Sequence, residues 1–238
     1  MDNLISGCFI TYNEEKNIKS FIENVRDFLD EIIIVDGYST DNTVRIAKEL
    51  GAKVYQRKFD DYSSQRNFAL EKAIYPWRFV LDLDERISDG FKKILPNLFK
   101  SKKSDCFKVK IFHYRTEDKK LMTVGWKRVL FRNYGIYWGE LHERAISFKY
   151  ERKIVNDDVY VTEYKSETER FQNLLRYKKM LTALYLKYRK NNQILLVNKL
   201  VEHLIPDHNQ RILIEFTDKT KQEQAYIDLA SLINSPLK

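Results

Sequence analysis

Cysteine is scarce here: Cys8 and Cys106 are the only two in 238 residues. Two cysteines cannot build a disulfide framework, and this pair does not sit at metal-ligand spacing. Cys8 lies in an apolar run and Cys106 adjoins Phe107, so both read as buried thiols of a reducing compartment. Long hydrophobic runs are missing too. Nothing approaches the roughly 18 consecutive apolar residues of a membrane-crossing helix. Asn13, Glu14 and Glu15 interrupt the early apolar stretch, which argues against the hydrophobic segment of a signal peptide. The expected location is therefore cytoplasmic. A glycine-rich dinucleotide fingerprint is also absent, which disfavours a nicotinamide enzyme. No internal repeat or low-complexity linker occurs.

What is present is an ordinary globular composition, 43% apolar and 32% charged, in a chain long enough to bury a sizeable core. The net charge is +8, and its location matters more than its size. Residues 165–199 carry nine Lys/Arg against Glu167 and Glu169, a local excess of +7. Basic character confined to one segment points to an anionic surface as that segment's partner. A nucleic-acid-binding protein would instead spread cations and aromatics over one groove, so nucleic acid is not expected as a partner.

Periodicity orders the first hundred residues. Residues 4–11 read as a buried strand, and Ile18, Phe21, Ile22, Val25, Phe28 and Leu29 follow at helical spacing. Ile32–Val35 is a second strand. Ser39 or Thr40 is the expected cap of the next helix, with Asp41 in its first turn and Gly51 past its end. Lys53–Gln56 is a third strand, Ser63–Ala73 a helix, and Trp77–Leu83 a fourth strand ending in acids. Ser88 caps a helix reaching about Phe99. Alternating strands and helices predict an α/β fold, a mainly parallel sheet with helices on both faces. Such sheets bind ligands beyond the carboxyl ends of their strands. Those ends carry Thr11–Glu14, Asp36–Ser39 and Asp82–Glu85. After Ser104 the strands expected at Asp105–Tyr114, Val129–Phe131 and Ala145–Phe148 suggest a mixed or antiparallel extension. From Thr168 the chain turns helical, with Phe171, Leu174, Leu175, Leu181, Leu184, Tyr185 and Tyr188 in one stripe.

Asp82-Leu83-Asp84 carries the sharpest chemistry. Two carboxylates one residue apart suit Mg²⁺ or Mn²⁺, a hard cation that bridges phosphate oxygens and neutralises a departing diphosphate. A lone Asp-x-Asp also occurs at solvated strand ends, so its company decides. Phe9–Glu15, Ile34–Thr43, Gln65–Ala69 and Leu81–Glu85, in that order, resemble the family-2 inverting glycosyltransferases of the GT-A fold. The likeness is greatest to the subgroup that adds hexoses to the lipopolysaccharide core. It covers residues 4–90 well, 125–148 moderately, and the chain beyond about 165 poorly.

The resemblance implies roles. Thr11, Tyr12 and Glu14 would line the nucleotide pocket, with Tyr12 stacking on the base. Asp36 would accept a hydrogen bond from base or ribose, and Gly37 would let the loop turn close to the ligand. Arg66 would meet ribose or diphosphate as a permanent cation. Asp82 would face the ribose or metal, and Asp84 would bind the metal. Leu83 stands where alanine is common and would narrow the donor pocket, and Gly37-Tyr38 replaces a common serine-glycine. A second stretch, Trp126–Arg132 then Gly139–Arg144, resembles the arginine-bearing strand and the histidine-glutamate pair of the same subgroup. There Glu143 would be the catalytic base, ahead of Glu140 and Glu85. Lys127, Arg128 and Arg132 would hold diphosphate or acidic acceptor groups. His113, His203 and His208, without partners at ligand spacing, read as structural.

The expected organisation is a GT-A-like domain over residues 1–165 and a helical extension over 166–238 packed on it. The expected activity is metal-dependent transfer of a hexose from a nucleotide sugar, UDP-glucose first, to a glycan or glycolipid acceptor. Other readings are a nucleotidyltransferase, for which Thr11–Glu15 is too acidic a phosphate loop, and an inactive nucleotide-sugar-binding relative. The basic helix at 168–190 either packs on the domain or brings it to an anionic membrane face.

Overall fold

A computed structural model describes residues 2–100, 104–139, 144–193, 197, 202, 205, 208–210 and 218–228. The chain divides into two compact units, one ending at Tyr164 and one starting at Lys165. The first is built on β1 (Ile5–Thr11), β2 (Glu31–Asp36), β3 (Lys53–Gln56) and β4 (Trp77–Phe79). All four run parallel, in the order β3-β2-β1-β4. Between them lie α1 (Glu15–Val25), α2 (Thr43–Glu49) and α3 (Tyr62–Lys72), followed later by α4 (Asp89–Leu98). Along β1 the side chains alternate. Ile5 and Phe9 join the core beneath α1 and α4, while Cys8 joins Ile33, Val35, Ala69 and Leu70 beneath α3. Helices thus cover both faces, as parallel pairing requires. Gly7 sits where the faces crowd: a Cβ there would lie 2.6 Å from Leu29 Cδ1 and 2.7 Å from the Phe9 ring.

Several expected boundaries move, each for a physical reason. The first helix stops at Val25, and a 3₁₀ turn over Arg26–Phe28 delivers Phe28 and Leu29 to the core instead. Neither Ser39 nor Thr40 caps α2. Asn42 holds the N-cap position without a side-chain capping bond, Asp41 accepts from Thr43 N–H, and Ser39 and Thr40 are engaged with Asp36 and Asn13. The fourth strand ends at Phe79 rather than Leu83. Asp82–Asp84 form a turn, closed by Glu85 N–H donating to the Asp82 carbonyl at 3.0 Å, that leads into the short β5 (Glu85–Ile87).

The extension is a long antiparallel hairpin, β6 (Cys106–Arg115) and β7 (Leu121–Arg132), with β7 antiparallel to β4. Only Val129–Phe131 is visible in the sequence because the first half of β7 is largely exposed and lacks an apolar alternation. β8 (Ile136–Trp138) and β9 (Arg144–Ile146) form a separate two-stranded sheet. β10 (Glu151–Lys153) pairs with β6, and β11 (Tyr160–Lys165) pairs antiparallel with β5. The main sheet therefore reads β3-β2-β1-β4-β7-β6-β11-β5, with β10 off this path.

In the second unit, α5 (Glu167–Lys190) opens on a capping box between Ser166 and Glu169 and ends in Lys187, Arg189 and Lys190, which complement the helix dipole. Its expected apolar stripe is internal: Leu174, Leu181, Tyr185 and Tyr188 are buried. Leu174 packs on Ala225 of α6 (Lys219–Ala225), and Lys221 pairs with Glu167 at 2.5 Å.

Candidate active site

Parallel pairing of β1, β2 and β4 brings their carboxyl ends to one edge, with Thr11 beside Asp36 and Gly7 beside Phe79. Side chains staple the first two loops together. Asn13 N–H donates to Ser39 Oγ at 2.8 Å, and Thr40 N–H donates to Asn13 Oδ1 at 2.8 Å. Glu14 N–H donates to Thr43 Oγ1, and the Glu15 carboxylate takes both the N–H and the side-chain amide of Asn42. Asp36 is fully buried, accepting from Ser39 N–H at 2.9 Å, Ser39 Oγ–H at 2.5 Å and Gln56 Nε2 at 3.3 Å. Its carboxylate therefore shapes the loop directly.

Gly37 N–H donates to the Thr11 carbonyl at 2.8 Å, and a Cβ on Gly37 would lie 3.5 Å from both the Thr11 carbonyl oxygen and the Tyr12 ring. The loop's left-handed residue is not this glycine but Tyr38, at φ 65°; Asn13 adopts φ 53° across from it. Tyr12 and Tyr38 are both more than half exposed. The Thr11 hydroxyl is buried with no hydrogen-bond partner among the described residues. Glu14 sits at the start of α1, where its carboxylate accepts from the Asn17 amide at 2.6 Å.

The Asp82–Asp84 turn lies farther along the same edge. Arg66 Nη2 donates to Asp82 Oδ1 at 2.6 Å and Lys127 Nζ to Asp82 Oδ2 at 2.9 Å. Lys127 also reaches Glu85 Oε1 at 2.6 Å, and the Glu85 carboxylate accepts from Asp82 N–H at 2.9 Å. Burial works against ionisation of Asp82, but the two cations outweigh it and hold its carboxyl well below the usual range. Burial likewise disfavours the Lys127 ammonium, and Asp82 with Glu85 more than compensates, so that ammonium is held charged. Glu85 itself is pushed up, first by burial and then by the charges of Asp82 and Asp84, with Lys127 opposing. From outside the turn, Arg86 donates to the carbonyls of Leu83 and Glu85 and to Ser20 Oγ.

The helix supplying Arg66 is docked by its neighbours. The Asn67 side chain donates to the Tyr137 carbonyl at 2.8 Å and accepts from Tyr137 N–H at 2.7 Å. Ser63 Oγ–H donates to the Gly139 carbonyl. That docking places the Arg66 guanidinium 5.3 Å from the centre of the Tyr137 ring.

Two expectations change, and the structural reading of His113 gains a partner. Leu83 does not narrow a donor pocket; it is buried in the core with Leu81 and Ile87 and anchors the turn. Arg128 faces away from the site. Adjacent strand residues point to opposite faces, and while Lys127 meets Asp82, Arg128 Nε meets Glu151 Oε2 at 2.5 Å. Lys127 is the strand's contribution to the turn. His113 has a partner: its Nδ1 lies 2.6 Å from Glu163 Oε2, and Glu163 pairs in register with Glu85. Spacing could not reveal a partner fifty residues away. Glu140, His142 and Glu143 lie outside the described residues.

Both Asp82 oxygens are engaged by cations, and no group of three His, Cys, Asp or Glu gathers among the described residues. Mg²⁺ is commonly bound by one or two carboxylates plus substrate phosphates, and Asp84 is the residue that would offer a carboxylate to an ion bound in that way.

The family model "Glycosyl transferase family 2" matches residues 6–160, nearly two thirds of the chain. The chain belongs to glycosyl transferase family 2. Among other family members, an uncharacterized glycosyltransferase of Rickettsia typhi is 37% identical over 122 residues, covering 50% of this chain and 42% of that protein. The prophage-derived glycosyltransferase SunS of Bacillus subtilis is 29% identical over 185 residues, covering 71% and 44%. This chain thus spans under half the length of those relatives. Its GT-A-like fold is shared with residues 1–349 of S. aureus TarS crystallised with UDP-GlcNAc, at TM-score 0.58 and 15% identity over 93% of this chain and 78% of that one.

Proposed function

We propose that this chain transfers a hexose from a UDP-sugar, UDP-glucose first, to a cell-surface glycan or lipopolysaccharide-core-type acceptor, with inversion. The observation that carries this reading is the convergence of Arg66 and Lys127 on Asp82, beside Asp84, at the edge where the stapled β1 and β2 loops end. In this reading Tyr12 meets the base, and the buried Thr11 hydroxyl gains the partner it lacks. Arg66, braced by Tyr137 and Asn67, offers its cation to the diphosphate. Asp84 would hold a divalent cation that neutralises charge growing on the leaving group. Glu143 takes the acceptor hydroxyl's proton as that oxygen attacks the anomeric carbon and the bond to the diphosphate breaks. UDP is favoured by the motif resemblance, and TarS, which shares the fold, has been crystallised with UDP-GlcNAc.

The second unit suggests peripheral attachment to an anionic membrane face. With the apolar stripe of α5 internal, its exposed positions include Arg176, Lys179, Lys187 and Lys190. No helix among the described residues is long and apolar enough to cross a membrane. Attachment would then be electrostatic, which suits a lipid-linked acceptor.

A panel of nucleotide sugars in thermal-shift assays with Mn²⁺ tests the donor, since a ligand of the native state raises the melting point by mass action. UDP-glucose should give the largest rise. A larger rise with GDP-mannose would overturn the UDP assignment, and no rise with any donor would favour an inactive relative.

A further inference from the structure

We infer that Tyr38 is a second aromatic contact for the nucleobase of the donor, acting opposite Tyr12. The inference rests on the UDP-sugar reading and deepens it. Its starting point is a conformational cost. Tyr38 is held at φ 65°, in the left-handed region that glycine enters freely and a bulky aromatic does not. The neighbours enforce this. Asp36 takes both the N–H and the hydroxyl of Ser39, Asn13 N–H donates to that same hydroxyl, and Thr40 N–H donates to Asn13. With both sides of the loop pinned, the residue at position 38 must adopt the strained geometry, and glycine would do so at less cost.

Packing does not repay the strain. The ring is 55% exposed, and no ring contact or hydrogen bond of its side chain occurs within the described residues. Strained residues that persist without an internal return belong to sites that bind something. The surroundings say what. Gly37, the residue before, donates its N–H to the Thr11 carbonyl at 2.8 Å, a Cβ built on it would lie 3.5 Å from the Tyr12 ring, and Tyr12 is itself 58% exposed. Two exposed phenol rings therefore stand on loops that touch and are stapled to each other, at the edge that also holds Arg66 and Lys127. Exposed aromatic rings on the edge that also holds Arg66, Lys127 and the Asp82–Asp84 turn fit a ligand with a planar end and a phosphate end. A nucleoside diphosphate has both. Loops already fixed relative to one another would grip the base without an added ordering cost.

Calorimetry with UDP and with inorganic pyrophosphate, on wild type, Tyr38→Gly and Tyr38→Phe, tests the assignment. Base–aromatic stacking is worth about 1–3 kcal/mol per base, so Tyr38→Gly should weaken UDP binding by roughly fivefold to a hundredfold. Tyr38→Phe should keep UDP affinity, and pyrophosphate, which has no base, should bind all three proteins alike. Relief of backbone strain should meanwhile raise the melting temperature of Tyr38→Gly by roughly 2–4 °C. A more stable protein that binds UDP less well is the signature expected of a ligand-gripping residue. Undiminished UDP affinity in Tyr38→Gly, with wild type binding UDP normally, would overturn this inference and leave the donor reading standing. Failure of wild type to bind UDP at all would overturn both.

Discussion

At the scale of single residues the two acids of the turn differ in what engages them. Asp82 is committed to Arg66 and Lys127, so it organises the turn, and the proposed function assigns a phosphate-borne cation to Asp84. Asp84→Asn should therefore abolish most turnover while leaving the circular dichroism spectrum and melting point near wild type. Full activity of wild type in EDTA would remove the metal from the mechanism. Glu143→Gln should lower turnover by about 10²–10⁴-fold with little change in UDP-sugar affinity. Near-native turnover in that variant would shift the role to Glu140 or Glu85. The ordered motifs singled out Arg66, one turn inside its helix, and Asp82 and Asp84 beyond a strand, and the structure brings Arg66 onto Asp82. Lys127 rather than Arg128 was not legible. Two adjacent cations in a half-exposed strand carry no signal of which face is inward. The ring of Tyr38 was visible only as an oddity of spelling, since φ cannot be read from composition.

Among elements, β1 and β2, buried on both faces, fall within a residue of their expected limits, and the half-exposed edge strand β3 matches its own. The misplaced boundaries lie where side chains bind backbone locally, at Ser39, Thr40 and Asp82–Glu85, because such bonds override propensity. β5, β8 and β10 are three residues each, too short for any period to show, while β9, as short, overlaps the strand expected at Ala145–Phe148. α5 was legible in both stripes, and its two faces have different fates. The apolar one is buried, so within α5 the proposed attachment to a bilayer would rest on the cations. Replacing Arg176, Lys179, Lys187 and Lys190 with Gln should release the protein from anionic vesicles at low salt, and 0.5 M NaCl should do the same to wild type, since such attraction is worth about 1 kcal/mol per cation and is screened. Equal recovery in the supernatant for both proteins, at either salt, would leave α5 with a packing role alone.

For the whole sheet, one buried carboxylate ties several elements. Glu31, at the start of β2, accepts from Ser6 Oγ–H of β1 at 2.6 Å, from Lys53 of β3 at 2.9 Å and from Ile74 N–H after α3 at 2.8 Å. Burial disfavours its charge, yet the Ile74, Ser6 and Lys53 bonds outweigh that and keep its carboxyl below the ordinary value. A carboxyl depressed in the folded state contributes stability that is complete above its unfolded value, about 4.3, and is lost as pH falls through the lower folded value. Glu31→Gln should be less stable than wild type at pH 7, and the gap should close toward pH 3, as followed by urea unfolding midpoints. A gap independent of pH would mean that Glu31 acts through shape and not through charge.

The clasp on Asp82 has a consequence for the making of the protein. Lys127 follows Asp82 by 45 residues, and at about 5–20 residues per second of synthesis it leaves the ribosome roughly 2–9 s later. Until the hairpin of β6 and β7 closes against β4, Asp82 and Glu85 lack their lysine and have Arg66 and Arg86 as basic neighbours. A nascent chain released early would keep the β1 and β2 loops and the Asp82–Asp84 turn yet lack the lysine that fastens that turn. The clasp thus closes late in translation, when β7 pairs with β4 and before β10 and β11 complete the sheet.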